Sequence, residues 1–274
     1  MKKTVLITGT SSGFGKVAAK LFAKNGWNVV ATMRQPESGS DLAELSDVLV
    51  TRLDVQDIAS IAQAIEAGIA RFGRIDALIN NAGFGLYGVF EATSREKVLE
   101  QFDVNVFGVM DVTRAILPHF RKNKGGLIIN ISSGAGVFTL PMLSLYCASK
   151  FALEGFSESL AYELASQNIM VKIVEPGGVV STNFGKRSGE EAVQNASLTD
   201  YHEFVARINA VFAGLRAARL ATEEDVAKVI FEAATDGTDQ LRYVATTDIA
   251  PLVNVRRQTS EQEYIAFMRA RFMA

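Results

Sequence analysis

The sequence predicts an α/β fold, in which a single domain spanning residues 1–274 is built on a doubly wound parallel sheet of seven strands. Short, almost wholly apolar runs alternate along the chain with amphipathic runs of helical length. Strands that are apolar on both faces are typical of a parallel sheet covered by helices on both sides. No Pro/Gly/Ser-rich linker or internal repeat divides the chain.

The elements follow one another in strict alternation. The predicted strands lie at residues 5–8, 28–32, 48–53, 77–80, 127–131, 170–174 and 241–244. Apolar residues at helical spacing predict helices at 14–24, 41–45, 58–71, about 95–122, 146–166 and 223–234. The stretch from about 178 to 220 is less regular, and we expect it to form a lid over a substrate site.

Composition excludes several classes of function. The net charge is −2 without a long single-sign run, which argues against nucleic acid or an anionic membrane as partner. Cys147 is the single cysteine, so a disulfide framework and a four-cysteine zinc site are excluded, and we expect no metal. The first apolar run is too short for a signal peptide, and no segment approaches the ~20 apolar residues that span a bilayer. We expect a cytoplasmic protein.

A turn rich in glycine and serine follows the first predicted strand and opens the first helix. A P-loop would need G-x-x-x-x-G-K-[ST], but Phe14 stands where the second glycine belongs and Val17 follows Lys16. Residues 9–13 spell the nucleophile elbow G-x-S-x-G, which requires a histidine later in the chain. The two histidines, His119 and His202, lie in a helical run and an irregular stretch. We therefore favour a dinucleotide site.

A dinucleotide site uses this turn for its backbone. Glycines allow a sharp turn and a close approach to a pyrophosphate, whose charge is attracted by the following helix N-terminus. The residues predicted to contact this part of the cofactor are Gly9, Ser11, Ser12, Gly13, Phe14 and Gly15. An ordinary tight strand–helix connection would use the same residue types, so the interpretation depends on the rest of the chain.

The end of the second predicted strand bears on the choice of cofactor. In NAD sites an acid about 20 residues after the glycines holds the ribose hydroxyls. Here the strand is followed by Arg34, and the first acid is Glu37. A guanidinium binds oxyanions bidentately, so Arg34 favours NADP(H), with its 2′-phosphate, over NAD(H). The alternative for Arg34 is a solvated surface arginine.

Further candidate contacts follow the next two strands. Open α/β sheets bind ligands at the carboxyl ends of their strands. Asp54, which can accept a hydrogen bond from an adenine amino group, and Val55 follow the third strand. Asn81, Ala82 and Gly83 follow the fourth, where small residues let the backbone approach a cofactor.

The group with the clearest chemistry is Ser133, Tyr146 and Lys150. The tyrosine and lysine are spaced i,i+4, so they share one helix face about 5–6 Å apart. An ammonium beside a phenol favours the phenolate and lowers the pKa of the tyrosine, which is then able to exchange a proton near neutral pH. Ser133 follows the fifth strand, where its hydroxyl can bind a substrate oxygen.

Together these motifs resemble the classical short-chain dehydrogenase/reductase family, most closely its 17β-hydroxysteroid and retinol dehydrogenase branch. The matching segments are TGxxxGxG at 8–15, NNAG at 80–83, VNV around Asn105, ISSG around Ser133, YxxxK at 146–150 and PG at 176–177. The resemblance covers residues 4–182 or so. It implies a Rossmann domain that transfers a hydride between NADP(H) and a ketone or secondary alcohol.

The resemblance also implies residue roles. Tyr146 is the general acid in reduction and the base in oxidation, while Lys150 lowers its pKa and binds the nicotinamide ribose. Ser133 stabilises the developing alkoxide, and Asn105 orients a water that links Lys150 to solvent.

After the sixth strand the implied cofactor contacts are Pro176, Gly177, Val179, Ser181 and Thr182. Where the family often has PGxxxT, this chain has Ser181 with Thr182 next, so which hydroxyl contacts the cofactor stays open.

The substrate is indicated less directly. Apolar residues flank the motifs and recur in the lid; they are Phe84, Leu86, Tyr87, Leu140, Met142, Leu143, Phe184, Phe204, Ile208, Val211 and Phe212. They favour a steroid-, retinoid- or general carbonyl-like substrate, but they would also fit a core or a subunit interface. The alternative function is an NADP(H)-sensing regulator with little turnover. The family resemblance implies a homodimer or homotetramer formed through the helices after the fourth and fifth strands.

Overall fold

Seven parallel strands form one sheet in this protein, whose structure is a computed structural model that describes residues 2–179, 198–217 and 221–273. The strands are β1 (Thr4–Thr8), β2 (Asn28–Met33), β3 (Val48–Arg52), β4 (Ala77–Asn80), β5 (Gly126–Ile131), β6 (Ile169–Glu175) and β7 (Arg242–Val244). Their order is β3-β2-β1-β4-β5-β6-β7, and all neighbouring pairs run parallel. The predicted doubly wound sheet is confirmed, with its switch point between β1 and β4.

Helices connect the strands and cover both faces. They are α1 (Gly13–Lys24), α2 (Ser40–Ala43), α3 (Ile58–Phe72), α4 (Arg95–Phe102), α5 (Gly108–Lys122), α6 (Ser144–Ala165), α7 (His202–Ala217), α8 (Glu223–Thr235), α9 (Ala250–Gln258) and α10 (Glu261–Phe272). None of the described helices is long and apolar enough to cross a bilayer.

Successive side chains of the strands pack against opposite helical layers. Ile7 belongs to the apolar cluster that α1 and α8 complete with Phe22 and Ile230. Leu6 belongs to the cluster on the other face, completed by α3, α5 and α6 with residues such as Ile116. Because strand side chains alternate between the faces, two apolar layers require the nearly continuous apolar strands of the sequence.

The long helix predicted over residues 95–122 is interrupted. A π-helical turn, Asp103–Phe107, separates α4 from α5 and buries Asn105. The wider turn changes which side chains face inward, and such turns are frequent at functional sites. Apolar spacing alone does not distinguish this arrangement from one continuous helix, since the helical pattern resumes on both sides.

Three helices that the sequence analysis did not predict, α7, α9 and α10, pack around a third apolar cluster. Its members include Phe138, Leu143, Phe212, Leu252 and Phe272. One local signal for α10 was present in the sequence, because its N-terminus carries a capping box in which the Ser260 and Glu263 side chains bond each other's backbone N–H groups. This cluster builds a wall beyond the end of the sheet.

A buried lysine ties β6 to the segment before β7. Lys172 is 2 % exposed, and its ammonium lies 2.5 Å from Asp236 Oδ1 and 2.9 Å from the Tyr243 hydroxyl. Burial opposes ionisation of Asp236, but hydrogen bonds from Lys172, Tyr243 and Thr238 outweigh it and hold its pKa well below the usual range.

Replacing Asp236 by asparagine is expected to lower the free energy of unfolding by about 1–3 kcal/mol, because it leaves the buried Lys172 charge without a carboxylate, while the 17 % exposed side chain of Asp236 makes the loss smaller than for a fully buried pair. Urea denaturation at neutral pH measures the loss, and Asp239→Asn, at an exposed position, is the matched control. The depressed pKa means that the pair's contribution is present above the pKa of an unfolded aspartate and is lost as the pH falls through the folded value. Equal stability of the two variants would contradict the expectation.

Candidate active site

A cavity of about 970 Å³ lies where the strands end at the carboxyl edge of the sheet. Its wall is formed by the turns after β1 to β6 and by α7, α9 and α10. Most residues predicted to bind the cofactor line it, namely Gly9, Ser11, Ser12, Gly13, Phe14, Arg34, Asp54, Val55, Asn81, Ala82, Gly83, Pro176, Gly177 and Val179. Ser133, Tyr146 and Lys150 line it as well.

Two predicted site residues pack behind the wall, and two are outside the described chain. Gly15 and Asn105 do not line the cavity. Ser181 and Thr182 lie outside the described residues, so the choice between their hydroxyls stays open. The predicted lid, at about 178–220, is described only in part, through α7 and the residues next to it, and Phe184 lies outside.

The glycine turn and the turn after β4 are locked together. Thr8 Oγ1 accepts the backbone N–H groups of Asn81 (2.9 Å) and Ala82 (3.0 Å), and the Asn81 amide donates to the Gly9 carbonyl at 3.0 Å. Gly9 has φ +71°, and a Cβ there would lie 2.9 Å from the Ala82 Cα. A Cβ on Gly15 would overlap the Asn81 amide. The glycines therefore permit this close packing.

This arrangement fits a dinucleotide pyrophosphate. Ser12 and Gly13, at the N-terminus of α1, both line the cavity. The first N–H groups of a helix have no partner within it and attract anions. Gly9 leaves the turn without a side chain at its closest approach to the Ala82 backbone. The residues present thus supply a backbone cradle with positive partial charge, which is what the predicted cofactor requires.

The cation expected near a cofactor phosphate stands at the end of β2. Arg34 is exposed and lines the cavity directly after that strand. Within the described parts of the chain, no carboxylate forms a salt bridge with it. Asp54 lines the cavity after β3, and its Oδ1 accepts the Gln56 N–H at 3.1 Å. Arg34 is thus a cation at the cavity that forms no ion pair with any carboxylate of the described residues.

Tyr146, in the first turn of α6, has a strongly altered acidity. Burial raises its pKa to about 12, and a hydrogen bond with Ser133 opposes the increase. Ser133 Oγ also accepts the Ala135 N–H at 3.1 Å, in the turn directly after β5. The phenol and the serine hydroxyl therefore meet at the cavity wall.

Lys150 lies one helical turn further along α6. It is 6 % exposed, its Nζ donates to the Ile131 carbonyl at 2.8 Å, and it lies 5.9 Å from the centre of the Tyr146 ring. Burial lowers its pKa to about 8, while the charge of Glu154 opposes this. Burial is thus the largest influence on the pKa of both groups, and the lowering of the tyrosine pKa by Lys150 stays a prediction.

Asn105 is held by backbone and side-chain partners. Its Oδ1 accepts the Phe84 N–H at 3.1 Å, and its Nδ2 donates to the Phe84 carbonyl at 2.8 Å and to Ser149 Oγ at 3.1 Å. Ser149 Oγ in turn donates to the Tyr146 carbonyl at 2.8 Å. A Cβ on Gly83 would lie 3.2 Å from Asn105 Oδ1 and 3.7 Å from Lys150 Nζ. Asn105 is therefore fixed behind the turn that Lys150 borders.

The sequence analysis missed two supporting hydroxyls. Thr8, which orders the turn after β4, and Ser149, which links Asn105 to α6, are both buried. Both lie inside the quoted motifs, so position within a motif was the available signal. No cluster of potential metal ligands occurs in the described residues.

Beyond Tyr146 the cavity becomes a chamber with mostly apolar walls. Of the residues expected to surround a substrate, Phe84, Tyr87, Leu140, Leu143 and Phe212 line it. Leu86, Met142, Phe204, Ile208 and Val211 do not line it, and most of them pack in the third apolar cluster instead. Leu252 of α9 and Phe272 of α10, helices that were not predicted from the sequence, complete the chamber together with Ile249 directly before α9.

Comparison with known families and proteins agrees with this geometry. The family described as short chain dehydrogenase matches residues 3–192. An uncharacterized oxidoreductase of Schizosaccharomyces pombe is 36% identical over 243 residues, covering 86% of this chain and 98% of its own. Retinol dehydrogenase 8 of Bos taurus is 34% identical over a match that covers 93% of this chain and 85% of the relative. The 3-ketodihydrosphingosine reductase of Bacteroides thetaiotaomicron is 44% identical over a shorter match, which covers 63% of this chain and 62% of the relative.

Solved structures share the whole architecture. A short-chain dehydrogenase from Streptomyces avermitilis is 30% identical with a TM-score of 0.78, covering 98% of both chains. ElxO, solved with NADP bound, is 29% identical with a TM-score of 0.73, covering 89% and 98%. A Burkholderia phymatum member, solved with NAD, is 25% identical with a TM-score of 0.80, covering 97% and 95%.

Proposed function

The chain belongs to the short chain dehydrogenase family of oxidoreductases, and from this premise we propose that it transfers a hydride between NADP(H) and an apolar ketone or secondary alcohol. The observation that carries the proposal is the meeting of Tyr146, Ser133 and Lys150 at one wall of a cavity that also contains the glycine turn. A proton-exchanging phenol and a nucleotide cradle in one cavity suit carbonyl reduction.

The chain's own residues act on the substrate oxygen. In reduction, the Tyr146 hydroxyl gives its proton to the carbonyl oxygen, and Ser133 Oγ donates a hydrogen bond to the negative charge that develops there. The neighbouring Lys150 ammonium stabilises the resulting phenolate. When bound, the nicotinamide supplies the hydride and, in its oxidised form, a positive charge that also favours the phenolate.

In oxidation the proton moves the other way. Tyr146 must first lose its proton, and the phenolate then takes the proton of the alcohol. Because burial raises the Tyr146 pKa in the protein alone, we infer that the cofactor's positive ring and Lys150 together bring it back into the working range. Asn105, fixed by Phe84 and Ser149, would orient a water that passes protons from Lys150 to solvent.

The preference for NADP(H) rests on Arg34. Its guanidinium follows β2 at the cavity, and no acid at the strand end competes for the ribose. Relatives of known structure include one with NADP and one with NAD, so the preference is a property to be tested on this chain.

Arg34→Ala is expected to weaken NADPH binding by about 1–3 kcal/mol, the size of a hydrogen bond to a charged group. NADH lacks the 2′-phosphate, so its affinity in the same variant is the internal control and is expected to stay unchanged. Fluorescence titration of both cofactors measures the two dissociation constants. Equal affinity of the native protein for NADPH and NADH would contradict the assignment.

The apolar substrate is supported by the chamber walls, which are formed by residues such as Leu140, Leu143, Phe212 and Leu252. Two relatives are named retinol dehydrogenase 8 and 3-ketodihydrosphingosine reductase. The first test is NADPH oxidation against a panel of apolar ketones. Tight NADPH binding without oxidation by any of them would favour the alternative, a cofactor-sensing regulator.

We also propose that the chain acts as one catalytic domain in the cytoplasm and assembles as a homodimer or homotetramer. Support for assembly comes from α4 to α6 and the turn between α4 and α5, where Leu99, Phe107, Phe151 and Tyr162 are exposed. Exposed apolar side chains on neighbouring helices are typical of subunit interfaces.

A further inference from the structure

Two cations stand on the wall of the chamber. Arg216 and Arg271, both exposed, line the same cavity as Tyr146 and Ser133. Neither arginine forms an ion pair with a carboxylate in the described parts of the chain. A largely apolar chamber with two cations on its wall suits a ligand that has an apolar body and an anionic end.

The two arginines come from helices that pack together. The rings of Phe212 in α7 and Phe272 in α10 lie 6.3 Å apart, and Arg207 donates to the Met273 carbonyl at 3.2 Å. Arg216 follows Phe212 by one turn on the same face of α7, and Arg271 directly precedes Phe272. The contact between the helices therefore brings both cations to the chamber.

Arg216 also influences a residue of the chamber wall. Tyr87 is partly buried there, and its hydroxyl donates to Asn209 Oδ1 of α7 at 2.6 Å. Burial raises the pKa of Tyr87, and the charge of Arg216 opposes the increase. The guanidinium is thus close enough to the chamber for its charge to act on groups inside it.

The general attraction of cations to helix C-termini does not explain why Arg271 lines the chamber. Cations are stabilised near helix C-termini in general, and Arg269 also lies in the last turn of α10. Arg269 does not line the cavity, whereas Arg271 does. The helix end explains why cations occur in the last turn of α10, but it does not explain why Arg271 and not Arg269 lines the chamber.

The acidic residues on the wall are engaged elsewhere. Glu100 forms an ion pair with Lys97 at 3.2 Å. The Asp248 carboxylate lies against Gly177, at the cofactor side of the cavity. Arg34 follows β2, in the half of the sheet that ends at β3, whereas Arg216 is on α7, which follows β6, and Arg271 is on α10, which follows β7. The two arginines therefore come from different elements than the predicted cation for the cofactor phosphate.

We propose that the substrate is an anionic amphiphile. Its carbonyl lies at Tyr146 and Ser133, its hydrocarbon body contacts the apolar chamber, and its carboxylate or phosphate end binds Arg216 and Arg271. Guanidinium groups form charge-assisted, often bidentate bonds with both kinds of anion. The inference rests on the proposed function and names the substrate class of that site.

The test compares three long-chain methyl ketones that differ only at the far end: a carboxylate, its methyl ester and a phosphate. The native protein is expected to reduce the carboxylate or the phosphate with a kcat/KM about 10-fold or more above that of the ester, the value of one charge-assisted bond. Comparison of kcat/KM for the carboxylate and the phosphate shows which anion the protein prefers. High salt is expected to reduce the preference, since both arginines are exposed.

Arg271→Ala and Arg216→Ala are each expected to remove most of this preference by lowering kcat/KM for the anionic ketone, with turnover of the ester unchanged. Arg269→Ala, in the same helical turn as Arg271 but outside the cavity, is the matched control and is expected to behave like the native protein. NADPH affinity is expected to be equal in all four proteins.

Several results would overturn the inference. One is equal kcat/KM for ester and anions in the native protein; another is an equal loss in Arg269→Ala and Arg271→Ala. Weaker NADPH binding in Arg271→Ala or Arg216→Ala would assign the arginines to the cofactor instead. Turnover of the ester without an anion preference leaves the proposed function standing, whereas no NADPH oxidation with any ketone overturns both.

Discussion

Replacing Tyr146 by phenylalanine is expected to lower kcat by about 10²–10⁴-fold, the usual contribution of general acid-base catalysis. The change removes only the hydroxyl that meets Ser133, so the ring keeps its packing at the start of α6. Folding and NADPH affinity are therefore expected to stay close to native. Steady-state kinetics with a verified ketone measure the loss. A variant that keeps more than about a tenth of the native rate would exclude Tyr146 as the proton donor.

The pH dependence of the two directions separates this role from a structural one. Reduction requires the protonated phenol, so its rate is expected to hold until the pH rises past the tyrosine pKa and then to fall. Oxidation requires the phenolate, so its rate is expected to rise with pH. Since burial raises this pKa to about 12 in the protein alone, the midpoint in the working enzyme measures how far Lys150 and the cofactor lower it. The pH profiles of the Tyr146→Phe variant are expected to show no such midpoint, either for reduction or for oxidation.

Lys150→Met is the second substitution with a large expected effect. The methionine retains the apolar length of the buried side chain but removes the ammonium 5.9 Å from the Tyr146 ring. We expect kcat to fall about 10²-fold or more because the phenolate loses its stabilising charge. NADPH affinity is also expected to fall about 10-fold, because a hydrogen bond to the cofactor ribose is lost.

The combination of both losses distinguishes Lys150 from its neighbour. Tyr146→Phe is expected to affect turnover alone, whereas Lys150→Met is expected to affect turnover and cofactor affinity. Lys122→Met, at an exposed position at the end of α5, is the matched control and is expected to change neither. If the Lys150→Met variant binds NADPH as tightly as the native protein, Lys150 does not contact the cofactor ribose.

Much of the fold could be predicted because its signals are local. Parallel strands covered on both faces must be nearly all apolar, so β4 was predicted with its observed bounds and the other strands within about two residues. The site residues on strand ends followed from the same reasoning, because a parallel sheet brings those ends to one edge. Gly9, Arg34, Asp54 and Ser133 thus reach one cavity.

The substrate half of the cavity could not be predicted in the same way. The helices α7, α9 and α10 pack on one another and on Phe138 and Leu143 rather than on the sheet, so strand alternation gives no information about them. Arg216 and Arg271 are exposed, and they stand between Leu215 and Ala217 and between Ala270 and Phe272, a pattern that any amphipathic helix can show. Only the contact between α7 and α10 makes them part of the chamber.

The acidity of the catalytic pair was also beyond sequence reasoning. The spacing of Tyr146 and Lys150 indicates that their charges interact, but not how strongly each is desolvated. Burial raises the pKa of Tyr146 to about 12 and lowers that of Lys150 to about 8, so in the protein alone the phenol keeps its proton while the amine still carries its charge at neutral pH. The proposed chemistry therefore depends on the charge that the cofactor brings.

Hydride transfer from NADPH to a carbonyl at Tyr146 can be followed with an isotope label. NADPH deuterated at both transferable positions of the nicotinamide is incubated with the native protein and an apolar ketone, and the product is analysed by mass spectrometry. The account predicts a secondary alcohol with one deuterium on its carbinol carbon, formed by the native protein and almost absent with Tyr146→Phe. An alcohol without deuterium, or equal yield from both proteins, would contradict it.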